Sequence, residues 1–447
     1  MKKNLSFLLL FTLIFTGTIY AQNDGWISLF NGKDLTGWKQ LNGKAKYEVV
    51  NGEIVGTTVL NTPNSFLCTE KDYSDFIFEV DLMVQENMNS GIQFRSESTP
   101  EYNNGRVHGY QCEVDPSERA WSAGIYDEAR RGWLYPLDLN PDAKPALKIG
   151  EWNHYRIECI GNDIRTWLNG EECAHVIDNM TPKGFFALQV HSIGDDQSKV
   201  GHQIKWKNIR IKTTNLKPSP DDEIYVVNLI PNNLSRYERE QGYSLLFDGK
   251  STSKFKSTKS DDFPANGWEV KDGVLSVLDK SVSPKRGGDI ITRKNYGPFE
   301  LKFDFNFTEG ANSGVKYGIG NNGPGIGLEY QVLDDERHPD AKLGVVGNRT
   351  MSSLYDLIPS SKEPRFTKGP GEWNRGRIVV FPNGLVQHWL NGRKVVEYTR
   401  GDNIYKALVA RSKYAHYEGF GLAPIGPILF QDHGNTVHYR SIKIREL

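Results

Sequence analysis

Phe76-Ile-Phe-Glu-Val-Asp-Leu-Met83 alternates apolar and polar side chains, and Leu301-Lys-Phe-Asp-Phe-Asn-Phe307 does the same much further along the chain. A period of two puts one set of side chains on each face of an extended strand. Tyr155-Arg-Ile-Glu-Cys-Ile160 and Gly376-Arg-Ile-Val-Val-Phe381 repeat the pattern, and no segment sustains a helical period. Asn51-Gly52, Asn169-Gly170, Asp272-Gly273, Asn383-Gly384 and Asn391-Gly392 separate such runs with the positive φ that tight hairpins need. The pattern predicts an all-β protein built as antiparallel, jelly-roll-like β-sandwiches.

The strands belong to two copies of one unit. Trp26-Ile-Ser-Leu-Phe-Asn-Gly-Lys33 returns as Tyr243-Ser-Leu-Leu-Phe-Asp-Gly-Lys250, and Asn89-Ser-Gly91 as Asn312-Ser-Gly314. Gly150-Glu-Trp-Asn153 with Trp167-Leu-Asn-Gly170 reappears as Gly371-Glu-Trp-Asn374 with Trp389-Leu-Asn-Gly392. Units this long are whole domains with their own cores. The expected organisation is a leader at 1–21, a first sandwich at 22–213, an extended linker with a short turn or helix at 214–240, and a second sandwich at 241–447.

Lys2 and Lys3, the apolar run Leu5 to Ile19 and Ala21 have the form of a cleavable secretory signal. It predicts export to the periplasm or the extracellular space. No later run is long enough for a membrane span. Loss of Lys2 and Lys3 moves the formal charge from −1 to −3, so there is no basic excess for nucleic acid. Cys68, Cys112, Cys159 and Cys173 all lie in the first copy without metal-ligand spacing and read as buried packing. Trp152 and Trp373 read as core anchors. The oligomeric state is not legible.

Strand parity selects the candidate site. Gln111, Glu113 and Asp115 alternate with Tyr110, Cys112 and Val114, so an amide and two carboxylates share one face; Glu329 and Gln331 have the same parity in the second copy with the order reversed. Gln189 and His191 recur as Gln431 and His433. Imidazole passes protons near neutral pH, and a nearby Glu can be its partner acid or base. Gln93 and Arg95 correspond to Lys316 and Gly318, and Tyr126-Asp127 to Tyr355-Asp356; all but the glycine are candidate substrate contacts. No nucleophile elbow, phosphate loop or His-Glu-x-x-His pattern is present.

Leu29 to Trp38, Asn89-Ser-Gly91, Gly109-Tyr-Gln-x-Glu-x-Asp115, Gly150-Glu-Trp-Asn153, Trp167-Leu-Asn-Gly170 and Asn208-Ile-Arg-Ile211 together resemble the 3-keto-disaccharide hydrolase family. The second copy resembles it through Gly327 to Asp334 and Leu429-Phe-Gln-Asp-His-Gly434, departing where Ser251-Thr-Ser-Lys-Phe255 replaces Asp-Leu-Thr-Gly-Trp. The resemblance implies a concanavalin A-like sandwich, export, and cleavage of glycosides already oxidised to a ketone at C3.

Such a ketone acidifies the C2 hydrogen, so one base and one acid suffice to expel the C1 substituent before water adds. Glu113 or His191 in the first copy, and Glu329 or His433 in the second, are the expected catalytic pairs. Arg95, Lys316 or a divalent cation held by Glu and His would stabilise the enolate. Two alternatives stand beside this reading: a non-catalytic carbohydrate-binding module, and an ordinary glycoside hydrolase using Glu113 with Asp115.

Overall fold

The computed structural model describes residues 25–221 and 223–447; the expected leader at 1–21 lies outside them. Each copy is two antiparallel sheets packed face to face. In the first copy the outer sheet runs, in spatial order, through strands Glu171–Ile177, Asp163–Leu168, Asn153–Ile160, Phe76–Val84, Gln203–Lys212, Glu53–Thr57 and Lys46–Val50. The opposing sheet runs Gly132–Tyr135, Ile125–Glu128, His108–Val114, Ser90–Glu97, Phe185–Val190, Ser65–Thr69, Trp38–Asn42. Alternation places Phe78, Ile157, Ile92, Tyr110 and Phe186 between the sheets in one core, where the Phe78 and Phe186 rings stack at 4.3 Å. The four cysteines are free and buried.

The second copy repeats the outer sheet, with Phe299–Phe307 between Asn374–Val380 and Val437–Glu446, but its inner sheet is shorter. Leu328–Leu333 is the edge strand there, whereas its counterpart His108–Val114 is followed outward by Ile125–Glu128 and Gly132–Tyr135. In their place the second copy has turns with isolated bridges, Tyr330 to Leu354 and Leu354 to Ile358. Helix Asn403–Ala410 departs from the expectation of no helical segment: Tyr405, Leu408 and Val409 have helical spacing and pack against the core, and the Asp402 carboxylate caps it by accepting from the Tyr405 N–H.

Two expectations are corrected. Trp152 and Trp373 are half-buried rather than core residues. Each lies beneath a cation, Lys207 at 3.8 Å and the Arg440 guanidinium at 3.9 Å, so they cover the outer face of the sheet. The segment expected as an extended linker is docked: Val226–Asn228 pairs in parallel with the edge strand Glu171–Ile177, and the Ser219 and Pro220 carbonyls accept from Arg165. Helix Arg236–Glu240 opens with a capping box from Ser235 and Glu238. Glu238 then accepts from buried Lys443 at 2.8 Å. Among the described residues no helix is long and apolar enough to cross a membrane.

Candidate active site

Strand His108–Val114 sends Tyr110, Cys112 and Val114 into the core. On its other face Gln111, Glu113 and the following Asp115 open onto a cleft of about 750 Å³, with Asn89, Tyr126, Trp133, Gln189 and His191 among its walls. That volume suits a ligand larger than one monosaccharide.

The Asn-Ser-Gly motif builds the floor. Asn89 Nδ2 donates to Glu113 Oε1 at 2.7 Å, and Ser90 Oγ donates to the Gln189 carbonyl at 2.6 Å, holding the neighbouring strand. Gly91 lies opposite Glu113, and a Cβ there would stand 2.3 Å from the Gln111 side chain. The missing side chain lets Gln111 lie across the strand and donate to Glu113 Oε2 at 2.8 Å. Gln93 Nε2 donates in turn to Gln111 Oε1 at 2.5 Å, and Ser96 Oγ to Gln93 Oε1 at 2.8 Å. Each amide therefore has one fixed orientation.

Only 4% of Glu113 is exposed. Burial pushes its carboxyl up to about 7, against the amide hydrogen bonds that favour the charged form. Gln189 is fully buried, yet neither its Nε2 nor its Oε1 has a hydrogen-bond partner among the described residues. An unmatched buried amide costs about 1–3 kcal/mol unless a ligand or water completes it. His191 follows the end of strand Phe185–Val190 and is exposed at the rim. Its Nδ1 lies 2.7 Å from the Ser192 carbonyl oxygen, which can only accept. Nδ1 therefore carries the hydrogen, and the lone pair of neutral His191 sits on Nε2.

The structure does not bring every expected residue to this cleft. Arg95 is displaced by a bulge between Phe94 and Glu97, where its own φ is +44°. The bulge breaks the parity it would share with Gln93. Its guanidinium donates to the Ser74 and Gly161 carbonyls and to Asp75, tying the strand to a neighbouring loop. Gly318 has φ +61°, so the two positions correspond as left-handed backbone, not as cation and its loss. Asp127 points away from the cleft and accepts from Arg130 and Arg131 at 2.7 and 2.5 Å. Tyr126 does line the cleft, edge-on to Trp133 at 5.2 Å. Asp115 lines it too, held by Ser117 and by Arg119 Nε at 2.7 Å.

Asn89, Arg119 and Trp133 were not selected by parity. Asn89 was legible as part of a repeated motif; Arg119 and Trp133 lie where the copies diverge.

In the second copy Lys316 stands opposite Glu329, as Gln93 stands opposite Gln111, and Gln331 takes the place of Glu113 opposite a glycine. The Lys316 ammonium lies 3.5 Å from Glu329 and donates to the Gly325 carbonyl at 3.1 Å. Gln331 Oε1 accepts from the Val332 N–H. The Tyr355 N–H donates to the Glu329 carbonyl, while Asp356 is occupied by Arg349 and the Lys413 N–H. The Lys413 ammonium lies over the Tyr355 ring at 4.2 Å. His433 is exposed beyond strand Leu429–Phe430, and the Gln431 Oε1 beside it has no partner among the described residues.

A divalent cation does not fit these residues as placed. Among the described residues no three His, Cys, Asp or Glu side chains are grouped to hold one. Both Glu113 oxygens face N–H donors, the polarity opposite to a metal site.

Comparison with known proteins agrees with the duplication. The 3-keto-alpha-glucoside-1,2-lyase-like domain matches residues 25–212 and again 242–445. A 3-keto-disaccharide hydrolase from Bacteroides thetaiotaomicron is 31% identical over 239 residues, 46% of this chain and 79% of its own length. A solved candidate glycosyl hydrolase from Parabacteroides distasonis is 31% identical, spanning 49% of this chain and 100% of that one with a TM-score of 0.43. A second from the same organism is 26% identical over 46% of this chain and 99% of its own, with a TM-score of 0.34. The chain belongs to the 3-keto-alpha-glucoside-1,2-lyase-like domain family and carries that domain twice.

Proposed function

We propose that this protein cleaves the glycosidic bond of 3-keto-glycosides or 3-keto-disaccharides, using the cleft of the first copy. The observation that carries the reading is Glu113, a buried carboxyl whose proton affinity is raised to about pH 7 on the floor of a sugar-sized cleft. His191 Nε2 removes the C2 proton, made acidic by the C3 ketone. The Gln189 amide donates to the developing enolate oxygen, replacing the role expected of Arg95. Electrons from the broken C2–H bond form the C1=C2 double bond and the C1–O bond breaks; Glu113 protonates the departing oxygen. Water then adds at C1 and a proton returns to C2, so the net reaction is hydrolysis.

The order of groups supports this division of labour. Neutral His191 has its lone pair on the nitrogen that must accept, and Glu113 keeps its proton up to neutral pH. The ordinary glycosidase alternative has less support, because Asp115 is engaged by Arg119. The leader at 1–21 would place the reaction in the periplasm or outside the cell. Incubating the protein with a disaccharide and its 3-keto form tests the reading. Release of the leaving sugar from the ketone alone is expected, and equal cleavage of both would replace elimination by ordinary glycosidase chemistry.

A further inference from the structure

Resting on that reading, we propose that the second copy completes the cleft of the first: Arg365 binds the sugar on the leaving side of the scissile bond, making one composite site selective for glycosides whose leaving group is itself a saccharide. Arg365 belongs to the second copy but lines the first copy's cleft. Its neighbour Phe366 is buried in the first copy's hydrophobic core, with its ring 5.4 Å from Trp121. The loop carrying Arg365 is therefore anchored where it borders the cleft.

The anchoring continues into the aromatic wall. Trp121 packs edge-on to Trp133 at 4.7 Å, and Trp133 to Tyr126 at 5.2 Å. Arg375 of the second copy donates to the Trp133 and Leu134 carbonyls at 3.2 and 3.0 Å. Arg393 lies 2.5 Å from Asp138, and Asp138 also accepts from the Trp121 indole at 3.2 Å.

Strand order sets the direction of the substrate. Gln189 and Glu113 lie on strands flanking Ser90–Glu97; Tyr126 pairs with Gln111, and Trp133 with Tyr126 at the sheet edge. Strands are about 4.8 Å apart, so Trp133 lies roughly 10 Å from the strand of Glu113, one further pyranose along. With the oxidised ring between Gln189 and Glu113, the departing oxygen faces the Trp133 side. A leaving sugar then stacks on the aromatic wall, and the Arg365 guanidinium, held at 2.9 Å by Glu363 of its own loop, is placed to donate to its hydroxyls.

The test compares a 3-keto-disaccharide with the corresponding 3-keto methyl glycoside on the native chain and on Arg365→Ala. Arg365 is exposed, but its guanidinium lies 4.7 Å from the Phe366 ring centroid, so an unchanged thermal midpoint in Arg365→Ala is the control that the Phe366 anchor persists. The expected result is about a tenfold fall in the disaccharide-to-methyl-glycoside ratio of kcat/KM, carried by KM, with partial recovery in Arg365→Lys. An unchanged ratio overturns the composite site, even where both rates fall together. Should the native chain cleave neither ketone, the proposed function fails, and calorimetric binding of the same two ligands decides the inference. Loss of disaccharide preference in Arg365→Ala supports it, and an unaltered preference overturns it.

Discussion

The floor of the first copy and its counterpart in the second use the same backbone and nearly the same side chains, yet their electrostatics are opposite. Both place the glycine of the Asn-Ser-Gly strand opposite an outward side chain of the neighbouring strand, and in both the serine before that glycine donates to a glutamine carbonyl on its other side. In the first copy the acid sits opposite that glycine, among amides, and keeps its proton to about pH 7. In the second the acid is two residues along the strand, at the next position on the same face, and faces the Lys316 ammonium. A shift of two residues, to the next position on the same face, thus separates a proton donor from an ion pair. The second copy also lacks the two strands that carry Tyr126 and Trp133. What it brings to the first copy instead is the loop of Arg365 and Phe366, which borders the cleft and enters the core.

The sharpest break of this comparison is Glu113→Gln against Glu329→Gln. The first is expected to lower turnover of a 3-keto-glycoside by about 10²–10⁴-fold. The second is expected to lower it less than tenfold while reducing stability, because Lys316 loses its buried partner. Equal losses in the two variants would show two working sites.

Phe366→Ala should cost about 3–5 kcal/mol of stability, since it empties a site in the first copy's core. Thermal denaturation followed by calorimetry measures it, and a loss below about 1 kcal/mol would mean the copies are not packed together there.

Glu113 also makes a pH prediction. Its folded-state affinity for a proton is raised from 4.5 to about 7. The stabilisation it contributes is complete below pH 4.5 and lost as pH rises through 7, an amplitude of about 3 kcal/mol. Glu113→Gln should therefore be more stable than the native chain at pH 8, with the gap closing toward pH 4 in denaturant titrations. With Glu113 as the acid, kcat/KM should fall as pH rises through about 7; a rise there would assign it as the base.

The smallest effect concerns the unmatched amides. Gln189→Leu removes a buried group without partners and should raise stability by about 1 kcal/mol while lowering turnover. The parallel Gln431→Leu should leave turnover within twofold.

Much of this architecture is written in local patterns. Alternation in Phe76–Val84 and Phe299–Phe307 depends only on which face of a strand is dry, so the sandwich and its duplication could be read directly. The same rule brought Gln111, Glu113 and Gln189 to one face. It failed at Arg95, because a bulge changes parity without any residue that signals it. Asp127 was expected beside Tyr126 in a loop-like region, but Ile125–Glu128 is a strand, so the two adjacent side chains take opposite faces. Trp152 and Trp373 misled because a large apolar ring can lie on an outer face when a cation covers it.

The sequence by itself determined a duplicated all-β chain and the side chains that share a strand face, because period-two burial and hairpin turns are set by near neighbours. Only the tertiary structure decided the proton affinity of Glu113, the ion pair that occupies Glu329, and the entry of Phe366 and Arg365 into the other copy's territory. Desolvation and contacts between residues far apart in sequence depend on which surfaces meet in space, and no local spacing encodes that meeting.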